Sequence, residues 1–131
     1  MGSFADYWEN EILDHLFGKG AYSPPTIYVG LSTADPGDDE AGLAEPSGGS
    51  YARKATTGTD WNAASGGSLD NATAIEFAAA TGDWGTVTHF ALFDALTGGN
   101  MLAHGSLTLS KTITSGDTVR FVIGDLDISL D

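Results

Sequence analysis

The chain has 131 residues, enough for one well-filled domain and too few for two. Eighteen carboxylates against five basic residues give a formal charge of -13, and Lys19, Arg53, Lys54, Lys111 and Arg120 are scattered, which argues against nucleic acid or an anionic membrane as partner. There is no cysteine for a disulfide framework or a thiolate metal site, and no apolar run approaches the roughly 20 residues of a membrane span.

A short helix is predicted over about residues 3–17. Ser3 serves as its cap, Asp6 favours the positive end of its dipole, and Gly18 and Gly20 stop it. Phe4, Trp8, Ile12 and His15 or Leu16 form its apolar stripe, which must plug one end of the fold or dock on a neighbouring subunit. Residues 26–32 alternate as a half-buried strand with Ile27, Val29 and Leu31 inward. A polar excursion over residues 33–49, broken by Pro and Gly, reads as a long acidic loop. Weaker strands follow at 51–57, carrying Arg53 and Lys54, and at 72–78, with Ile75 and Phe77 on one face.

Residues 83–109 are the strongest signal, two apolar runs around Thr97-Gly98-Gly99-Asn100 that read as a central hairpin. Val87, Ala91 and Phe93 are expected on one face and Phe90 and Leu92 on the other, both buried. At the C-terminal end Val119, Phe121 and Ile123 alternate inward, Gly124-Asp125 marks a hairpin or a bulge, and Leu126, Ile128 and Leu130 continue the alternation. About seven strands without an internal repeat indicate an all-β fold: a single-domain β-sandwich or jelly-roll-like module, residues 1–131, with a short N-terminal helix.

Chemistry is sparse. Asp35, Asp38, Asp39, Glu40 and Glu45 are the calcium candidates, but their spacing is not that of an EF-hand, and a solvated loop extended by its like charges is the favoured reading. With Gly98-Gly99 as a two-residue turn, His104 faces Phe93 and His89 faces Thr108. The two histidines then lie roughly 13 Å apart along the strands and share no metal. His15 sits on the helix. Asp94 and Ser106 complete no known constellation with the histidines, and Asp125 and Asp127 are explained by outward alternation rather than by a glycosidase dyad. Trp61, Trp84, Tyr22, Tyr28 and Tyr51 lie near strand ends, where core corners and subunit contacts are commoner uses than a sugar platform. The sequon at Asn71 reads as accidental. No catalytic, cofactor-binding or metal residue is assigned.

Residues 15–37, 48–55 and 84–107 running on to 115–130 together resemble a family of small virion proteins of tailed bacteriophages, labelled tail fibre or capsid decoration (cement) proteins. The resemblance implies an all-β structural module, not an enzyme, that works by protein–protein contact without a cofactor in the virion, having been assembled in the host cytoplasm. A single small module without a shaft favours capsid decoration: a homotrimer on the major capsid protein at capsomer junctions, its acidic surface suited to a particle exterior. Trp8, Arg53, Lys54, Trp61 and Trp84 are the expected contact residues. The alternative is a tail fibre or baseplate module that binds host glycan.

Overall fold

The computed structural model describes residues 2–130. Its centre is the expected hairpin, here β6 (Gly85–Phe93) and β7 (Met101–Ile113). Ahead of it in the chain come β1 (Gly2–Phe4), α1 (Asp6–Leu16), β2 (Tyr28–Ser32), β3 (Lys54–Ala55), a single 3-10 turn (Gly58–Asp60), β4 (Ser68–Asp70) and β5 (Ile75–Glu76). After it come β8 (Arg120–Phe121) and β9 (Asp127–Ser129). The fold is all-β with one short helix. Seven strands form a sheet in the order β3-β2-β6-β7-β1-β9-β4, and β5 pairs with β8 in a ribbon of two. The pairing of β1 with β9 is parallel.

The ribbon packs on one face of the hairpin. Ile75, Phe77, Val119 and Phe121 meet Val87, Phe90 and Leu92 in the main core, with the Phe121 ring centroid 6.4 Å from Phe90 and 6.3 Å from Phe77. On the opposite face Ala91, Phe93, Met101 and Ala5 form a smaller cluster. Phe90 and Phe93 are therefore buried on opposite sides of one strand, as the alternation predicts. Val87 is not where alternation places it. Between the pairs Val87–Lys111 and His89–Ser106 the ladder is irregular, Thr88 alone facing residues 107–110 of β7, and Val87 joins Phe90 and Leu92 rather than Ala91 and Phe93.

A second irregularity, between Leu92 and Phe93, changes the register. The connection is not a two-residue turn but the loop 94–100, closed by Asp94. The Asp94 carboxylate accepts the Asn100 backbone N–H at 2.7 Å and the Asn100 side-chain amide at 2.9 Å. A Cβ on Gly99, at φ 70°, would lie 2.5 Å from that carboxylate, so the loop needs glycine there. Phe93 consequently pairs with Met101 and Ala91 with His104, three and two residues from the register expected with a Gly98-Gly99 turn.

The N-terminus departs furthest from the predicted helix. Residues 2–4 are a strand held between β7 and β9, Ser3 pairs with His104 instead of capping, and α1 starts only after the extended residue Ala5. The space dictates this. A Cβ on Gly2 would lie 2.7 Å from the Phe90 ring and 2.8 Å from the His104 carbonyl oxygen. The helix then lies over the sheet with no fully buried residue; Trp8 packs on Phe4 with ring centroids 4.7 Å apart and planes tilted by 50°, while Leu16 leaves the stripe for solvent.

The C-terminal break is neither a hairpin nor a bulge in one strand. Residues 122–125 form a turn, in which Asp125 N–H donates to the Val122 carbonyl and the Asp125 carboxylate accepts from Val122 N–H, that carries the chain from the ribbon into the large sheet. Buried Asn71 fixes that crossing. Its amide donates to the Thr73 and Val122 carbonyls and accepts from Leu126 N–H, so the sequon asparagine is an internal strut. Val119, Phe121, Leu126 and Ile128 are buried as alternation predicts, whereas Ile123 and Leu130 are exposed. Strands 51–57 and 72–78 shrink to β3 and β5, two residues each.

Candidate functional site

The acidic loop 33–49 is folded down rather than extended by its charges. Ser32 ties its neck, its hydroxyl accepting Ala44 N–H at 3.1 Å and donating to the Ala34 carbonyl, while Thr33 N–H donates to Ala44. Inside the loop the Asp35 and Asp39 carboxylates accept from Gly37 and Ala41 N–H, local turns that short acidic side chains favour.

Glu45 leaves the loop for the interior. It accepts two bonds from the Arg53 guanidinium, at 2.6 and 3.0 Å, and a third at 2.7 Å from the Tyr51 hydroxyl, which itself accepts Leu31 N–H. Arg53 also donates to the Ala95 and Gly98 carbonyls and lies 3.5 Å over the Phe93 ring. Burial, then the bond to Glu45, pushes the Tyr51 phenol far above its ordinary range. Arg53 is thus an interior residue and not the contact residue expected, because one guanidinium satisfies a buried carboxylate and the hairpin loop together.

The same loop brings together two residues that the expected register kept apart. His89 and His104 are diagonal neighbours on one face of the hairpin, since His104 pairs with Ala91. The Asp35 Oδ1 lies 4.0 Å from His89 Nε2 and 4.0 Å from His104 Nδ1. The outer nitrogens are engaged as well, His104 Nε2 at 2.8 Å from Asp38 Oδ1 and His89 Nδ1 at 2.8 Å from the Thr88 hydroxyl. Only the pairing register could have revealed this cluster, and the loop 94–100 with the irregularity beside Phe93 hid it. Asp38 also lies with Asp6 and Glu9 at the start of α1, and its carbonyl accepts Asp6 N–H. His15 is remote, accepting Tyr22 N–H.

The aromatic candidates divide into corners and groove. Trp84 is buried, donates its indole N–H to the Gly49 carbonyl and meets Tyr51 edge-on at 5.3 Å, so it is a core corner and not a surface contact. Trp8 donates to the Tyr22 hydroxyl and Trp61 to the Thr56 hydroxyl. Their rings, with Phe4, Ile27, Leu69, Ile128 and Leu130, line an apolar groove of about 260 Å³. Lys54 is exposed on the edge strand β3. Leu13, Leu16 and Phe17 project from the far end of α1. Asp60 is the carboxylate most clearly stabilised: the Thr73 hydroxyl and Thr57 N–H hold it below the usual range.

With the loops pinned by internal ion pairs and the aromatic tips bonded inside the chain, exposed apolar surface is gathered in the groove and at the far end of α1. The chain belongs to the family described as podophage GP4 fiber I protein gp80, whose model matches residues 3–129. It is therefore a bacteriophage virion protein, and the tail-fibre label met in the sequence resemblance is the one this family carries. No match is found among curated proteins.

Proposed function

We propose that the chain is an assembly module of a phage fibre that packs against further copies of itself. The observation that carries this reading is the groove, an almost wholly apolar depression rimmed by Trp8, Trp61 and Leu130. Apolar surface of this kind is costly to leave in water. The complement lies on the same chain. Leu13, Leu16 and Phe17 are 54, 71 and 74% exposed at the other end of the helix that carries Trp8, where they cannot reach their own groove. A helix end on one copy and a groove on the next make a heterologous contact, which closes into a ring or runs along a fibre. The family's fibre description supports this role over capsid decoration.

Light scattering on purified protein tests the association. Phe17→Ser and Leu130→Glu alter residues that are exposed in the isolated chain, so each should reduce the oligomer to monomers while circular dichroism stays unchanged. An oligomer unaffected by both, or a wild-type monomer at high concentration, overturns self-packing. Density for the chain on the head surface of virions instead of on a fibre would reject the fibre assignment and restore the decoration role expected from the sequence.

A further inference from the structure

We propose that the cleft between β7 and the chain leading into β9 accepts one extended strand of another polypeptide, apolar at alternate positions and acidic beside them. The pairing of β1 sets the geometry. Gly2 pairs with Gly105 of β7 on one side and with Ile128 of β9 on the other, so β7 and β9 stand two strand spacings apart, about 10 Å. β1 fills that lane against residues 103–105 of β7. Two residues further along, Leu107 and Leu126 flank the same lane. With Thr108, Leu109 and Asp125 they line a cleft of about 220 Å³ whose walls include Phe90 and Phe121.

The flanking strand offers both backbone and side chains. Residues 107–110 of β7 face only Thr88 of β6, and β1 reaches no further than Gly105. Residues 106–112 are extended yet none is buried, although Leu107 and Leu109 stand at alternate positions and Leu109 is 73% exposed. Edge strands that stay free are ordinarily guarded by charge or proline, and Lys111 is the only charged residue between Gly105 and Ile113. An added strand supplies main-chain hydrogen bonds to such an edge and sets alternate side chains into the neighbouring cleft.

The lane also selects its occupant. It has chain on both sides, so the edge of a second copy's sheet, which brings a neighbouring strand with it, does not fit, whereas a single strand such as a tail does. Lys111 and Arg120 both line the cleft, and neither is in an ion pair among the described residues. Glu76 lies across the ribbon from Arg120 without bridging to it, and the Asp125 carboxylate in the lining is turned to Val122 N–H. In a chain of formal charge -13, two unbridged cations in one apolar cleft favour a partner strand with acidic residues.

NMR and hydrogen exchange on the full chain test this with a capped seven-residue peptide that has aspartate at both ends, valine at its third and fifth positions and threonine between them. In either strand direction it sets valines beside Leu107 and Leu109 and an aspartate beside Lys111. Expected are slower exchange of the amides of residues 107–110, shifted methyl signals of Leu107 and Leu109, and weaker binding as salt is raised. Lys111→Glu should weaken the aspartate peptide by about fivefold and prefer the same peptide with lysine for aspartate, a reversal that no folding defect produces, while Lys54→Glu on the edge strand β3 changes neither. In intact virions the amides of 107–110 should exchange more slowly than in the isolated chain. Absence of peptide binding, a lysine peptide held by the unsubstituted chain as tightly as the aspartate one, or virion amides as fast as those of the isolated chain overturns the proposal. Protection that rises with chain concentration and needs no peptide also overturns it, by assigning the cleft to a second copy. Each of these results leaves self-packing at the Trp8 groove to its own test, since the two faces share no lining residue.

Discussion

Glu45→Ala strands a buried cation. The Arg53 side chain is only 5% exposed and that of Glu45 20%, so water cannot replace the carboxylate without entering the interior. The guanidinium would keep two carbonyl oxygens and the Phe93 face, none of which carries a full negative charge. Removing one partner of a buried ion pair costs about 3–5 kcal/mol, a range that also covers the acceptor lost by the Tyr51 hydroxyl. For a domain of this size that is a fall in unfolding midpoint of roughly 10–20 °C. Urea unfolding followed by circular dichroism measures it directly. Arg53→Met combined with Glu45→Leu removes both charges and should lie within about 2 kcal/mol of the unsubstituted protein, because the penalty belongs to the unpaired charge. A loss below about 1 kcal/mol in Glu45→Ala would mean that the pair is solvated and the loop extended after all. A double variant as weak as the single would show that the loss has another origin.

Phe93→Ala empties a fully buried site on the smaller cluster and should cost about 3–5 kcal/mol by urea unfolding, with much reduced soluble yield. Gly2→Ala drives a methyl group into the Phe90 ring and the His104 carbonyl; a loss of about 1–3 kcal/mol is expected, and an unchanged midpoint would mean that β1 does not pair as described. Asp60 ionises below the usual carboxylate range in the folded chain, because Thr73 and Thr57 donate to it, so its contribution is present above its unfolded pKa near 4 and is lost as pH falls through the lower folded value. Stability measured from pH 5 downward should therefore fall less steeply in Asp60→Asn than in the unsubstituted protein, and parallel curves would contradict this.

What the sequence made legible is what a period of two can report. Val29, Leu31, Ile75, Phe77, Val119, Phe121, Leu126 and Ile128 are buried where alternation put them, since each lies on an extended segment with one face on the core. The rest was settled by tertiary partners. Gly2-Ser3-Phe4 is too short to announce a strand, and it becomes one because β7 and β9 leave a gap that only a glycine backbone can enter. Arg53 and Trp84 looked like surface residues by type, and they are internal because Glu45 and the Gly49 carbonyl reach them from a loop whose composition alone suggested open solvent.

The irregularity at Thr88 shows why a cluster can be invisible when its strands are not. Unbroken alternation would put Val87 on the His89 face; at this irregularity Val87 turns to the core instead, and Thr88 supplies the hydroxyl that holds the His89 ring. The second irregularity, beside Leu92, moves His104 to within one diagonal step of His89. The loop 94–100 and this irregularity convert histidines predicted to be far apart into neighbours, on the face that the acidic loop covers. Like charges would extend that loop if it stood alone. It folds because Glu45 is drawn inward by Arg53, Asp38 is bonded to His104, and Asp35 and Asp39 turn back on their own backbone. The order of the loop is thus a consequence of the hairpin register beneath it, which is why composition, reading the loop by itself, gave the opposite answer.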